Sequence, residues 1–256
     1  MLAVSRRLDA LQPSDIWLFD LERNSPRRLT DTPSSEYDPV FSPDGTTVVF
    51  NSNRGGRFEL YRRPADGSGA DERVAAEATA ASVPEFFPGT TTVIYSTSAG
   101  DLMTIDIARP GAPAAWLATP ATEGHPAVSA DGKWVAYETD ASSRREIVVR
   151  AASGGGAIAV SVDGGSAPRW RADGRELFYV DPDRWLMAVS IAPAGSGLRI
   201  GTPTRLHQTR ITADGHPFVV TRNGQTFIYP MRSEPGTPGI TVITNWPALP
   251  RPTGAR

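Results

Sequence analysis

Four arginines in two predicted loops are the side chains of this chain best suited to recognising a ligand. Arg54 and Arg57 follow one β-favouring run, and Arg144 and Arg145 follow another. A guanidinium group presents a planar fork of N–H donors that matches carboxylates and phosphates. We expect two adjacent repeats to carry these loops and to bring the four side chains near one another. The sequence therefore predicts binding of a small anionic ligand or of a protein or peptide segment.

A mixed polar rim is expected to accompany these arginines, since β scaffolds usually bind through loops that gather at one end. The predicted ligand-binding residues are Arg54, Arg57, Glu123, His125, Arg144, Arg145, Asp183 and Arg184. The same loops also contain Glu36, Tyr37, Asp38, Asn51, Asn53, Asp140, Asp163 and His216. One alternative stays open at this point, namely that each charged side chain only keeps the surface hydrated.

Residues that could bind a metal are sparse in this sequence. His125, His207 and His216 are the only histidines, cysteine is absent, and no His-Glu-x-x-His motif occurs. Because a zinc site needs three or four ligands in fixed geometry, we expect no metal and no cofactor. Asp181-Pro182-Asp183 places two carboxylates two residues apart, but the further acidic positions and the glycine of a calcium loop are missing. We interpret that segment as a solvated turn.

A repeated turn indicates the elements that position these residues. Ser42-Pro43-Asp44-Gly45 lies between two β-favouring runs, and four altered copies follow it. Counted at the last turn residue, the copies fall at positions 45, 90, 132, 174 and 224. Pro, Asp and Gly in this order suit a type I turn that closes a hairpin. A repeat of about 42 residues is typical of propeller blades and too long for leucine-rich or ankyrin repeats.

Each repeat is predicted to contain four strands. An aromatic residue ends the β-favouring run that follows each turn, five positions after the turn residue. These aromatics are Phe50, Tyr95, Tyr137, Tyr179 and Tyr229, and we expect them to pack between blades. A third and a fourth run follow in each unit, as at residues 58–61 and 73–75.

The sequence therefore predicts an all-β fold, a β-propeller of about six four-stranded blades, of which four are complete and two are partial. The predicted boundaries are 1–31 for a partial blade, 32–78, 79–121, 122–163 and 164–207 for full blades, 208–249 for a second partial blade, and 250–256 for a disordered tail. Residues 1–5 align with the second strand of a blade. We expect either an unusual ring closure or further strands upstream, because closure is what removes exposed edges.

Composition restricts the partners of the chain. The net charge is −2 and the charges are interspersed, so the basic stretch that phosphate contacts require is missing, and we expect no nucleic acid. No run approaches the roughly 18 apolar residues of a membrane span, and we expect none in this chain. The lack of cysteine fits cytoplasm and bacterial periplasm equally. The localisation stays open. We expect the chain to be periplasmic or otherwise extracytoplasmic if it is part of a membrane-anchored protein, and cytoplasmic otherwise.

Several segments resemble the TolB-like (WD-repeat-like) β-propeller repeats of bacteria. They are residues 14–21, 28–30, 39–45, 168–170, 173–179, 186–189 and 240–246. The likeness covers nearly the whole chain and is closest to the C-terminal propeller of bacterial serine/threonine protein kinases. It implies a non-catalytic sensor module that binds a ligand or a protein. The chain departs from the repeat at Gly89-Thr90, at Asn223-Gly224 and in the longer interval that contains residues 207–216.

Two other functions are compatible with the same resemblance. One is a stand-alone scaffold in an envelope complex, and the other is the gating propeller of a prolyl-oligopeptidase-type peptidase that lacks its hydrolase domain. Enzyme activity is not expected, because neither the kinase motifs nor the Gly-x-Ser-x-Gly nucleophile elbow occurs in the sequence. The sequence therefore predicts no catalytic residue.

Overall fold

The computed structural model describes residues 1–8, 11–74, 80–109, 111–209, 218–221, 224–229 and 242–243. All regular structure in these ranges is β-strand. A search of the same ranges finds no helix with the length and apolar character of a membrane span. The first sheet contains three antiparallel strands, β1 (Leu2–Arg6), β2 (Asp15–Asp20) and β3 (Ser25–Arg28).

Three four-stranded sheets follow, and each is a simple antiparallel meander. The second sheet contains β4 (Glu36–Phe41), β5 (Thr47–Ser52), β6 (Glu59–Pro64) and β7 (Glu72–Arg73). The third contains β8 (Ala81–Phe86), β9 (Thr92–Thr97), β10 (Leu102–Asp106) and β11 (Ala114–Leu117). The fourth contains β12 (Glu123–Val128), β13 (Trp134–Thr139), β14 (Glu146–Ala151) and β15 (Ile158–Ala159).

Two further sheets complete the series. The fifth contains β16 (Ser166–Trp170), β17 (Glu176–Val180), β18 (Trp185–Ala194), β19 (Gly197–Ile200) and β20 (Thr204–Gln208). The sixth contains β21 (Val219–Val220), β22 (Phe227–Ile228) and β23 (Val242–Ile243). The first strands of successive sheets, β4, β8, β12, β16 and β21, contact one another in that order. The predicted all-β propeller is thus confirmed, with four complete blades between two three-stranded ones.

The repeated turn has one geometry in most blades and a second geometry in the third blade. In the second blade the Gly45 N–H donates to the Ser42 carbonyl at 2.8 Å, and Gly45 has a φ of +73°, which glycine adopts at low cost. In the third blade the left-handed residue is Gly89, directly after Pro88, as in a type II turn. Gly89-Thr90 therefore replaces Asp-Gly without changing the hairpin length. The glycines equivalent to Gly45 in other blades are Gly132, Gly174 and Gly224.

Hydrophobic clusters lie between neighbouring blades. Five clusters of buried residues each join two consecutive sheets, from the first and second to the fifth and sixth. The aromatic column predicted from the sequence takes part in all five, and each ring packs towards the preceding blade. The prediction that these aromatics pack between blades is confirmed. The rings are Phe50, Tyr95, Tyr137, Tyr179 and Tyr229, none more than 5% exposed.

The third strand of the fifth blade is longer than the third strands of the other blades. β18 continues to Ala194 and forms a hairpin with β19, while β20 pairs with its first half. Gly195, with a φ of +59°, closes this hairpin. Leu198 and Ile200 pack against the cluster between the fourth and fifth blades. The repeat pattern could not predict this hairpin, because the other blades have no equivalent.

The first and sixth blades have three strands each in the described part of the chain. Within that part, no hydrophobic cluster joins the first sheet to the sixth. Val242–Ile243 forms a strand within the predicted segment 240–246. The rest of that segment, the loop with His216, Asn223 and the tail 250–256 lie outside the described residues.

Candidate binding site

A β-bulge interrupts the inner strand of each complete blade at the same place. The bulged residues are Asp38, Val83, His125 and Ala167, and their φ angles lie between +48° and +53°. The pairing register shifts at each of them, and a proline follows each one. Positive φ is costly for residues other than glycine, so neighbouring groups must hold these bulges. Bulges of this kind re-aim side chains and often lie beside functional sites.

Polar side chains of the preceding blade hold the bulges by hydrogen bonds. Ser96 Oγ accepts the His125 N–H at 3.1 Å, and Glu138 Oε1 accepts the Ala167 N–H at 2.6 Å. These bonds fix the bulge geometry and tie each inner strand to its neighbour. The corresponding bonds in earlier blades are Asp38 N–H to Ser5 Oγ at 3.1 Å and Val83 N–H to Asp38 Oδ2 at 3.2 Å.

Five titratable or charged side chains from four blades meet at the centre of the ring. They are Asp38 of the second blade, Glu85 of the third, His125 and Glu138 of the fourth, and Arg169 of the fifth. Arg169 interacts electrostatically with Glu85, Asp38 and Glu138. Since two blades separate Asp38 from Arg169, these side chains can meet only across the space that the inner strands enclose. We call these five residues the central cluster.

Burial and charge set the protonation of the central cluster. Burial raises the pKa of Glu85 to about 7, against the opposing effect of Arg169. Burial also raises the pKa of Asp38. It acts in the same direction on Glu138, but His125, the Ala167 N–H and Arg145 together outweigh it, and the pKa of Glu138 is lowered. His125 Nδ1 lies 3.0 Å from Glu138 Oε1. Glu138 is therefore ionised at neutral pH, whereas Glu85 titrates near neutral pH.

At one end of the ring, the loops that connect successive blades lie beside the loops that connect the second and third strands of each blade. We call this end the loop face, and two pockets lie side by side on it. The 3/4 pocket, of about 180 Å³, lies between the third and fourth blades, and Glu123, His125 and Asp140 line it. The 4/5 pocket, of about 260 Å³, lies between the fourth and fifth blades. Arg145 lines both pockets, and its Nε is 3.3 Å from Glu138 Oε2. The two pockets are therefore neighbours with a shared wall.

Four of the predicted ligand-binding residues surround these pockets. Glu123, His125 and Arg145 line the 3/4 pocket, and Arg144 and Arg145 line the 4/5 pocket. Glu123 is buried, and its Oε2 has no hydrogen-bond partner in the described part of the chain. Burial raises the pKa of Glu123, although Thr119 donates a hydrogen bond to its Oε1. Four of the eight predicted ligand-binding residues therefore lie around the two neighbouring pockets.

The predicted proximity of the four loop arginines is wrong. Arg54 and Arg57 lie in the second blade and Arg144 and Arg145 in the fourth, so the whole third blade separates the two pairs. The repeat was counted correctly, but the loops belong to alternate blades and not to adjacent ones. A single small anion cannot contact both pairs.

All four loop arginines already have carboxylate partners. Arg54 donates to Glu36 Oε1 at 3.1 Å and to Asp71 Oδ2 at 2.7 Å, and its guanidinium lies 4.4 Å from the centre of the Tyr61 ring. An incoming anion would have to displace these carboxylates. The other three ion pairs are Arg57 with Glu59, Arg144 with Glu146, and Arg145 with Glu138.

The two remaining predicted residues lie in the loop between β17 and β18 of the fifth blade. Asp183 and Arg184 are both exposed. Asp183 Oδ2 is 3.4 Å from the Arg205 guanidinium, and Asp181 Oδ1 accepts the Trp185 N–H at 2.8 Å. Neither Asp183 nor Arg184 lines the two pockets. The described residues contain no group of three or more histidines and carboxylates that could hold a metal ion.

Sequence reasoning did not single out Glu85, Glu138 or Arg169. A signal was available for two of them, because the residue two positions after each bulge is apolar in the second and fourth blades, where it is Val40 and Ala127. In the third and fifth blades the same position carries Glu85 and Arg169, with opposite charges. A charged residue at an inner-strand position that is apolar in other blades indicates a polar site at the centre of the ring. An alignment of the four repeats on the proline after each bulge shows this pattern in the sequence.

Comparison with known proteins agrees with this architecture. Residues 2–115 match the family model described as TolB beta propeller domain. The structure of TolB from Acinetobacter baumannii matches with a TM-score of 0.70 at 16% identity, covering 90% of this chain and 58% of that one. Putative TolB from Agrobacterium tumefaciens matches with a TM-score of 0.67 at 17% identity, covering 90% and 78%.

A curated relative is similar over a shorter stretch. An uncharacterised protein of Agrobacterium fabrum is 35% identical over 60 residues, which are 23% of this chain and 20% of that protein. The chain thus spans less than two thirds of this relative and of the Acinetobacter TolB.

Proposed function

We propose that this chain, a TolB-like β-propeller, is a non-catalytic binding module that holds a segment of a partner protein on its loop face. The observation that carries this proposal is the pair of neighbouring pockets with Arg145 in their shared wall. Two adjacent recesses suit an extended segment, which can place one side chain in each. Function on β scaffolds commonly resides in such loops.

The chemistry of the two pockets differs and indicates which segment would fit. Glu123, Glu138 and Asp140 make the 3/4 pocket acidic, which favours a basic side chain or backbone N–H groups. The 4/5 pocket contains Val180 and Pro182 among its lining residues, which favours an apolar side chain. The expected segment carries a basic residue and an apolar residue a few positions apart.

An exposed apolar residue extends the proposed surface. Val162 is 61% exposed and precedes Asp163 at the edge of the 4/5 pocket. Arg144 donates a hydrogen bond to the Val162 carbonyl, which holds the loop in place. An apolar side chain next to the apolar lining of the 4/5 pocket would enlarge the contact area offered to a partner segment.

A protein segment is favoured over the small anion that the arginines alone suggested. Each loop arginine is engaged by a carboxylate, so a free anion would compete with groups that are already in place. A segment gains contact area in both pockets and can use the exposed arginine edges without breaking these pairs. We further propose a sensing role, as in the kinase-linked propellers that the sequence resembles; a scaffold or a gating propeller would use the same face.

Selection of peptides on the purified protein tests the proposal. A displayed library of seven-residue peptides should yield sequences with a basic and an apolar residue two to four positions apart. Arg145→Ala and Val162→Asp should each weaken binding of a selected peptide about tenfold, measured by fluorescence anisotropy, because a lost contact of this kind is worth about 1.4 kcal/mol. Both residues are more than half exposed, so folding should be unaffected.

Arg199→Ala serves as the matched control, because Arg199 is an exposed arginine on β19 that lines neither pocket. It should change the affinity less than twofold. Equal loss in the control, or no loss in either loop-face variant, would place the binding site elsewhere. Cleavage or phosphorylation of the selected peptides by the purified chain would contradict the non-catalytic part of the proposal.

A further inference from the structure

Arg169 is a buried arginine whose guanidinium is only partly satisfied. Its relative exposure is 8%, and its Nη1 donates to the Pro168 carbonyl at 2.7 Å. Its Nη2 is buried and has no hydrogen-bond partner among the residues that the structure describes. No carboxylate of the described residues lies within ion-pair distance of it, unlike the loop arginines. Arg169 therefore presents an unused donor at the centre of the ring.

An unused guanidinium donor at this depth is energetically unfavourable. Burial lowers the pKa of Arg169, and the carboxylates of Glu85, Asp38 and Glu138 act in the opposite direction. The group nevertheless stays protonated in a protein, and a buried charge without hydrogen bonds costs several kcal/mol. The three carboxylates are near enough to influence Arg169 but do not contact it.

Glu85 supplies a complementary unused acceptor. It lies two residues after the bulge of β8, as Arg169 lies two residues after the bulge of β16. Among the described residues, only the charge of Arg169 acts on its carboxyl group besides burial. The blade that contains β12 separates the two strands, so both side chains reach the same central space. Glu85 is partly exposed, unlike the buried residues on either side of it.

We propose that the centre of the ring is a second binding site, in which a carboxamide accepts a hydrogen bond from Arg169 Nη2 and donates one to the Glu85 carboxylate. The ligand class is an amide, either a small molecule or the side chain of an asparagine or glutamine. This site is built on inner-strand bulges, and the two residues that bind the amide, Arg169 and Glu85, line neither pocket of the loop face.

Charge explains why an amide fits better than an ion. The central cluster contains three carboxylates and one guanidinium, so a further anion would be repelled by Asp38, Glu85 and Glu138. A cation would have to approach Arg169 in the same small space. A neutral group with a carbonyl oxygen and an N–H next to each other satisfies both unused partners without adding charge.

Three probes of nearly identical shape separate these possibilities: acetamide, acetate and acetamidinium. Titration of the purified protein at pH 7.5, followed by the ¹H and ¹⁵N signals of the arginine side chains, should show saturable binding of acetamide with a dissociation constant on the order of 1 mM. Acetate and acetamidinium should each bind at least fivefold more weakly. Tighter binding of either ion, or no saturable binding of acetamide below about 100 mM, would overturn the proposal.

Variants locate the site. Arg169→Met should weaken acetamide binding at least tenfold, while Arg171→Met, two residues further along at the surface turn, should leave it within twofold of the unaltered protein. Glu85→Met should weaken binding at least fivefold and keeps the test decisive if Arg169→Met fails to fold. Unchanged acetamide binding in a folded variant at position 85 or 169 would show that the amide binds elsewhere. The acetamide titrations do not depend on peptide binding at the loop face, so failure of that proposal would not change the results expected here.

Discussion

The arginines of this chain differ in burial and in their partners. The loop arginines were predictable from their type and position, but their partners were not. Arg54, for example, is held by Glu36 and Asp71, which lie 18 and 17 residues away in sequence. Arg169 and Glu85 could be noticed as charged residues in an apolar column. Their meeting at the centre depends on the closure of four blades around one space, which sequence spacing does not reveal.

Glu85 should make the stability of the protein depend on pH. Its pKa is raised from 4.5 to about 7 in the folded protein because burial disfavours the charged form. The folded state then binds more protons than the unfolded state between these values, so the free energy of unfolding should fall as pH rises from about 4.5 to 7. Above pH 7 this contribution should be constant.

Glu85→Gln isolates this effect from all other titrations. At pH 8 the variant should be more stable than the unaltered protein by about 3 kcal/mol, since the pKa is raised from 4.5 to about 7 and one pKa unit corresponds to about 1.4 kcal/mol. Near pH 4.5 the two proteins should be equally stable. Urea denaturation at both pH values measures the difference. A difference that stays constant between the two pH values would mean that Glu85 titrates normally.

At the scale of the strand, the same arrangement recurs from blade to blade: an inner-strand bulge donates its backbone N–H to a polar side chain of the preceding blade. Turns, strand order and the aromatic column were predictable because each depends on a local pattern. The bulges were missed, although the proline after each bulged residue was visible in every copy. In the fifth blade the acceptor column is occupied by Val180, whose apolar side chain cannot accept a hydrogen bond.

Ser96→Ala should destabilise the protein by about 1 to 2 kcal/mol. The substitution removes the Oγ that accepts the His125 N–H and leaves a donor without its partner at a strained bulge. Ser153→Ala, at an exposed position, should change stability by less than about 0.5 kcal/mol. Thermal and urea denaturation of both variants measure the difference. Equal effects would mean that the bulge does not need this bond.

At the scale of the whole molecule, stability resides between the blades. Each hydrophobic cluster is built from two sheets, so no complete blade keeps its buried faces without both neighbours. The number and order of blades followed from the period of the turn.

Unfolding should therefore be a single cooperative transition. Tyr95→Ala and Tyr179→Ala, which alter two different clusters, should each cost about 3 to 5 kcal/mol and lower the melting temperature of the entire protein. Differential scanning calorimetry should give a ratio of calorimetric to van't Hoff enthalpy near one for both variants. Two separated transitions in either variant would show that groups of blades unfold independently.

The hairpin of β18 and β19 offers a practical position for attaching a reporter. Its backbone bonds between Ile191 and Ile200 are internal to the hairpin, and its tip at residues 193–196 is exposed. A fluorescent protein inserted between Gly195 and Ser196 would leave the blade ladder in register. Because the chain contains no cysteine, Ser196→Cys would also give a single thiol for dye labelling. Either label would lie outside both proposed sites and report on binding without blocking it.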